Sequence, residues 1–207
     1  MEYEQIDIDG RNGSYYVEKG LQDVSIPIEF NFFVDDADDI RNKIREIREW
    51  FTNIKDSKLF FNYDSNYFYR VKTVTLDDCT YENLYEIQTF TANFVVSPFQ
   101  YSFEGLKEIT LADKFYNFWD DSTPVYRIEG NGNCNFIVNG VSIQCSINKS
   151  ITIDTENDKI LENDGSLSVG KTNIKNMKDL LLVNGENTFS CTSGFTAYIT
   201  PNYRKTL

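Results

Sequence analysis

Apolar and polar residues alternate along two early runs of the chain. In residues 3–9, Ile6 and Ile8 oppose Asp7 and Asp9; in residues 24–34, Val24, Ile26, Ile28, Phe30 and Phe32 oppose Ser25, Glu29 and Asn31. A period of two predicts half-buried strands. Pro27 falls inside the second run and has no N–H to donate, so that strand is expected to have a free edge or a bulge. Between the runs, Gly10, Asn12 and Gly13 tolerate positive φ, which predicts a turn and a return strand over residues 15–18. A hairpin should open the fold.

The period then changes. Ile40, Ile44, Ile47, Phe51 and Ile54 recur at alternating spacings of four and three, a single apolar stripe on one helix. Asp35, Asp36, Asp38 and Asp39 precede it, where carboxylates cap free N–H groups and oppose the positive end of the dipole. A calcium loop counted from Asp35 would need Gly at Ile40 and an oxygen ligand at Ala37, so capping is the better reading. Arg41, Lys43, Arg45 and Arg48 form no clean basic stripe, because Glu46 and Glu49 stand at pairing distance from Lys43 and Arg45. That pattern is a solvated helix face.

Strand composition returns in Leu59-Phe60-Phe61, in residues 67–75 after a turn at Asp64-Ser65-Asn66, and in residues 85–96. Pro98 is expected either to stop pairing or to take the chain out of the sheet, closing the first unit. Residues 102–122 show no clean period and read as a strap, with Phe118 and Trp119 packed on a neighbouring unit. From Thr123 short strands recur about every ten residues, as in a sandwich: 125–129, 134–138, 141–146, 150–154, 159–162, 187–191 and 195–200. Asn139-Gly140 is a two-residue hairpin signal and Asn184-Gly185 a second turn. The expected division is therefore 1–104, a strap over 105–122, and 123–207.

Composition narrows the chemistry. The 207 residues carry 20 Lys+Arg against 32 Asp+Glu, a net −12, and no His. Residues 1–120 hold 23 acidic and 12 basic residues, and residues 121–207 hold 9 and 8, so the acidity belongs to the first half. Such a charge disfavours binding that neutralises phosphates, so no specific nucleic-acid binding is expected. Without His, the commonest general base, His-ligated zinc and Ser/His/Asp arrangements are gone. Cys79, Cys134, Cys145 and Cys191 form no CxxC pair and read as buried thiols. No run of 18 apolar residues and no basic-then-apolar leader is present, which predicts a soluble chain without membrane attachment. Asp154, Glu156, Asp158 and Glu162 could be proposed as a glycosidase pair or metal site, but Thr155-Glu156-Asn157-Asp158 reads more simply as a turn. Two glycosylation-like triplets, at Asn12 and Asn148, carry no weight in a chain without a secretion signal. No enzyme, cofactor or metal is expected.

Between about Tyr3 and Arg204 the sequence resembles the distal tail proteins of long-tailed phages that infect Gram-positive bacteria. The resemblance is carried first by Ile6-Asp7-Ile8-Asp9-Gly10-Arg11-Asn12-Gly13-Ser14, the helix with Trp50-Phe51, Leu59-Phe60-Phe61, Tyr67-Phe68-Tyr69-Arg70-Val71 and Phe94-Val95-Val96-Ser97-Pro98-Phe99-Gln100-Tyr101. A second, independent stretch resembles the family's galectin-like half: Ile128-Glu129-Gly130-Asn131-Gly132, Ile137-Val138-Asn139-Gly140, Ile151-Thr152-Ile153-Asp154 and Leu181-Leu182-Val183-Asn184-Gly185-Glu186-Asn187. Members usually carry a segment before the Asp-Gly-Arg-like turn, whereas this chain begins almost at it. Either that segment has been removed or this is a shortened member, and the isolated chain is expected to fail to close a ring.

The resemblance implies a mainly β fold with one helix: an N-terminal sandwich or barrel-like ring (belt) domain followed by a galectin-like β-sandwich that serves as a docking platform. It implies a hexameric ring of the chain with itself at the virion tail tip, made in the bacterial host's cytoplasm. Its partners would be the tail tube protein, a tail-associated lysin or fibre protein, and a receptor-binding protein. In such a ring, strand edges pair between subunits, and the expected contact residues are Ile6 and Ile8 of the opening strand and the aromatic ribbon Tyr67, Phe68 and Tyr69. The acidic residues of the first half are expected to line a bore that repels DNA. The alternative is a carbohydrate-binding module on the host wall. Residues 123–207 have neither Trp nor His, and only Tyr126, Tyr198 and Tyr203 are candidates to stack a sugar, so a protein-docking sandwich is favoured.

Overall fold

The computed structural model describes residues 2–7, 12–34, 39–53, 56–77, 80–81 and 87–207. Among them the chain is mostly β-sheet with a single α-helix, the expected class, and it divides into two compact units, Met1–Gln100 with Leu207 and Tyr101–Thr206. No helix among the described residues is long and apolar enough to cross a membrane.

The first unit opens with strands β1 (Glu2–Asp7) and β2 (Ser14–Lys19), antiparallel with Ile6 opposite Tyr15. The predicted hairpin is therefore present, although Ile8 and residues 9–11 of its turn lie outside the described residues. There follow β3 (Val24–Phe33), α1 (Ile40–Thr52), β4 (Lys58–Leu59), β5 (Tyr67–Leu76), β6 (Thr80–Tyr81) and β7 (Ile87–Ser102). Strand β7 pairs with β3, β5 and β6, and β5 pairs in turn with β4. The only strand paired with β3 among the described residues is β7, so Pro27 sits on a strand with one free edge, as its missing N–H requires.

Alternation along β3 and β7 aims Phe30, Phe32, Phe90, Ala92, Phe94 and Val96 at one core. The stripe of α1 covers it. Ile44 and Ile47 pack on this core, and the Phe51 ring meets Phe30, Phe90 and Phe94 edge-on at centroid distances of 5.4, 6.1 and 5.8 Å. Ile54 and residues 35–38 lie outside the described residues. Asp39 occupies the N-cap position but makes no capping hydrogen bond, which corrects the capping expectation at that residue. Lys43 pairs with Glu46 at 2.9 Å as expected, whereas Arg45 donates to Asn42 Oδ1 at 3.2 Å rather than to Glu49. Pro98 does not end β7. A proline loses a donor but keeps its acceptor, and the Pro98 carbonyl accepts from Leu207 N at 3.2 Å.

The second unit holds β8 (Ile109–Thr110), β9 (Lys114–Asn117), β10 (Val125–Val138), β11 (Val141–Asp154), β12 (Lys159–Glu162), β13 (Gly185–Cys191), β14 (Thr196–Thr200) and β15 (Arg204–Thr206). Strand order is β12-β11-β10-β13-β9, with β14 on β10 and β8 on β14. Residues 105–122, set apart in the sequence as a strap, contain two strands of this unit, β8 and β9, which pair with β14 and β13. Trp119 stacks on Tyr203 at 6.0 Å as expected, but Phe118 is 82% exposed and packs on neither unit's core.

Four predicted strands prove to be two. The runs 125–129 and 134–138 join into β10, and 141–146 and 150–154 into β11, pairing residue for residue from Val125↔Asp154 to Val138↔Val141. The polar interruptions do not break the phase of alternation: Tyr126, Ile128, Cys134, Phe136 and Val138 all point inward, as do Ile143, Cys145, Ile147, Ile151 and Ile153. At the tip, Asn139 and Gly140 take φ of 48° and 84°, the left-handed pair that a tight two-residue hairpin demands. The core between these strands, β14 and the segment Leu180–Leu182 is closed, and the Tyr126 hydroxyl within it donates to Leu180 O at 2.9 Å.

Phe136 is fully buried and meets Tyr126 edge-on at 5.3 Å. Phe136→Ala should lower the stability of the second unit by about 3–5 kcal/mol. Phe118→Ala, on an exposed ring, should change it by no more than about 0.5 kcal/mol. The shift of the denaturant midpoint measures both, and equal effects would contradict the placement of the core.

Candidate assembly surface

A two-stranded ribbon has two faces, and alternation can bury only one of them. The return strand breaks that rule, because Tyr15, Tyr16 and Val17 are consecutive and so place apolar groups on both faces. All three are exposed, Tyr16 to 66%, and so is Ile6 opposite Tyr15. Among the described residues β1 and β2 pair only with each other. Polar contacts tie the turn end: Gln5 Nε2 donates to Ser14 Oγ at 2.8 Å and to Asp7 Oδ1 at 3.2 Å. Hydrogen bonds from Ser14 and then Gln5 hold the Asp7 carboxyl below the usual carboxylate range. An isolated two-stranded hairpin is only marginally stable in water, so a ribbon with apolar groups on both faces is suited to a partner.

The first unit leaves other large apolar side chains uncovered, notably Phe33, Trp50, Phe60 and Tyr63. The Trp50 indole lies beside Phe51 but just off the buried stripe, with centroids 4.8 Å apart. Of the contacts expected from the sequence, Ile6 is on this exposed ribbon and Ile8 lies outside the described residues. Tyr67 and Tyr69 are half-buried, and Phe68 between them is fully buried in its own chain and has no surface to offer a neighbour. The Tyr69 ring meets Phe61 edge-on, and its hydroxyl accepts from Gln100 Nε2 at 3.3 Å. The same amide donates to Asp64 at 2.8 Å. Burial and then the Asp64 charge raise the Tyr69 phenol above its usual range. The sequence places Tyr15, Tyr16 and Val17 on a return strand without marking them as a contact surface, although three adjacent apolar residues after a turn are the available signal.

In the second unit the three candidate sugar-stacking tyrosines are already engaged. Tyr126 is in the core, Tyr198 has the Arg127 guanidinium 4.2 Å from its ring centre, and Tyr203 stacks between Phe115 and Trp119. The carboxylates once set aside as a turn form one. Asp154 Oδ1 accepts from Glu156 N and Asn157 N, both at 3.1 Å, and Asp158 takes a positive φ of 52°. Glu162 is held by Lys171 at 2.7 Å.

Residues 1–96 match the family model described as the phage tail protein RIFT-related domain. The whole chain superposes on the crystal structure of the SPP1 Dit (gp 19.1) protein, described as a paradigm of the hub adsorption apparatus in phages infecting Gram-positive bacteria. That similarity has a TM-score of 0.64 at 14% identity and covers 100% of this chain and 88% of the other. No curated protein matches.

Arg127 is the charge hub of the second unit, and its state is measurable. It grips Glu108 through two bonds of 2.8 and 2.6 Å and also pairs with Glu129. The hydrogen bonds from Arg127 hold the Glu108 carboxyl below its ordinary value. A depressed folded value means that the pair's contribution is present above the unfolded value and is lost as pH falls through the folded one. With Glu108 partly exposed, that contribution is at most about 1 kcal/mol. An NMR titration should therefore place Glu108 below the ordinary glutamate value, and Arg127→Met should return it toward that value. An unchanged midpoint in the variant would refute the assignment.

Proposed function

We propose that this chain, whose residues 1–96 match the model of the phage tail protein RIFT-related domain, is a structural component of a phage tail tip that acts by self-association and docking, with no catalytic role. The match of the first unit to that domain carries the reading, and the shared fold along the whole chain supports it. In this reading the first unit closes a hexameric ring through strand edges and the exposed apolar ribbon around Ile6, Tyr15, Tyr16 and Val17. Charge supports a conduit. The net −11 over residues 1–120 suits a bore through which DNA passes without sticking, because carboxylates repel phosphates.

The second unit is the docking platform of the proposed assembly. It buries its own core, and its most exposed aromatic pair, Tyr116 and Phe118, lies near the edge strand β9 with centroids 4.6 Å apart. The ring would join the tail tube protein to a tail-associated lysin or fibre and a receptor-binding protein. Its place is the virion tail tip, after synthesis in the bacterial host's cytoplasm.

Light scattering of the full chain, alone and with its tail tube protein, tests the reading. Wild type should form a hexamer in at least one of these conditions. Ile6→Asp combined with Tyr16→Asp should give a monomer with an unchanged circular dichroism spectrum and an association constant at least about tenfold weaker, or 1.4 kcal/mol. A wild type that stays monomeric throughout, or a double variant that assembles equally well, would overturn it.

A further inference from the structure

Cys134 and Cys191 are diagonal neighbours across the seam between two strands of the second unit. Cys134 lies on β10 and Cys191 ends β13, and these strands pair through Phe136↔Cys191, Ile137↔Ser190 and Val138↔Phe189. Two more bonds extend the seam beyond Cys191: Thr192 N donates to Asn135 O at 3.1 Å, and Asn135 N donates to Thr192 Oγ1 at 2.8 Å. Both backbones are thereby fixed around side chains whose Sγ atoms are 3.3 Å apart. A disulfide bond is about 2.05 Å long, so closure has to bring the two sulfurs together by a little over 1 Å. A third thiol, Cys145, sits opposite Cys134 on β11.

We infer that Cys134 and Cys191 are a latent disulfide, two thiols placed to close a covalent staple between β10 and β13 when the chain meets a disulfide oxidant. The inference concerns the second unit alone and does not rest on the tail-tip reading. Exposure sets the order of events. Cys191 is half-exposed and Cys134 is buried, so Cys191 is the thiol that an oxidant reaches first. With glutathione disulfide, the Cys191 sulfur attacks one sulfur of the reagent, whose S–S bond breaks, and the departing glutathione carries off the Cys191 proton. The Cys134 sulfur then attacks Cys191 Sγ, the mixed disulfide breaks, and a second glutathione leaves with the Cys134 proton. Two protein thiols are oxidised by two electrons and one glutathione disulfide is reduced to two glutathiones.

Burial, reinforced by the neighbouring Cys134 sulfur, holds the Cys191 thiol well above its usual range, and burial pushes Cys145 up to about 12. Cys191 and Cys145 are therefore protonated and slow to react at neutral pH, and a reducing cytosol leaves the pair open. Once closed, the staple would tie positions 57 residues apart and remove loop entropy from the unfolded chain.

The test uses the full chain, purified reduced and incubated with glutathione disulfide. Thiols are counted after denaturation, peptides are mapped without reductant, and melting is followed before and after reduction. Two of the four thiols should disappear, with one cross-linked peptide pair containing Cys134 and Cys191. The melting temperature of the second unit should rise by roughly 10 °C and fall back with dithiothreitol. Cys191→Ser should abolish the cross-link and the shift, while Cys145→Ser and Cys79→Ser should keep both. If buried Cys134→Ser fails to fold, the wild-type map and the Cys191→Ser variant still decide. Four surviving thiols, a stable glutathione adduct that never closes, or a linkage through Cys145 or Cys79 would each overturn the inference.

Discussion

Each unit is organised by one long strand whose alternation has to stay in phase from end to end. A slip of one residue would turn every inward side chain of that strand to solvent, so register and core are set together. In the second unit this strand is β10, which pairs with β11, β13 and β14 and sends Tyr126, Ile128, Phe136 and Val138 into a closed core. In the first it is β7, which pairs along ten positions with β3 and carries Phe90, Ala92, Phe94 and Val96 inward. The Asn139-Gly140 turn matters because it sets the register of the longer ladder at its tip.

That constraint also explains what was legible in the chain and what was not. Period-two runs and a four-three stripe predict β3, the opening hairpin and α1 because each signal is local. The split of β10 and β11 into shorter strands was wrong for a physical reason: Gly130-Asn131-Gly132-Asn133 looks like a turn when taken alone. Across the ladder those residues face Lys149, Asn148, Ile147 and Ser146, and the inward phase resumes at Cys134, so pairing carries the strand through. Pro98 misled similarly, since a missing donor ends pairing only where a partner needs that donor. The short strands β8 and β9 have too few residues to show a period, and only their partners β14 and β13 define them.

Assembly surfaces are legible by a different route, because an apolar residue bound for a neighbour and one bound for the core look alike in sequence. Tyr67-Phe68-Tyr69 reads as an exposed ribbon, yet Phe68 is buried in its own chain. What separates the two cases is a failure of alternation. Tyr15-Tyr16-Val17 cannot all face one core from a strand, and no other strand among the described residues pairs with that ribbon. The two units differ in degree: the second buries Tyr126 and Phe136 completely and leaves Tyr116 and Phe118 in solvent, while the first leaves Tyr16, Phe33, Trp50 and Tyr63 there.

Charge adds a final condition on how the proposed ring could hold. Copies of a unit with net −11 over residues 1–120 repel one another at long range, so attraction has to come from short-range contact. Apolar burial and backbone pairing both meet that requirement, since neither depends on opposite charge. Repulsion reaches only about 10 Å at 0.1 M salt, whereas the apolar ribbon acts at contact. In the proposed ring, carboxylates would therefore face a central bore, spaced apart and screened, while Ile6, Tyr15, Tyr16 and Val17 would close the seams. A surface that held its neighbours by Lys–Asp pairs would give up the excess of negative charge that the proposed bore requires.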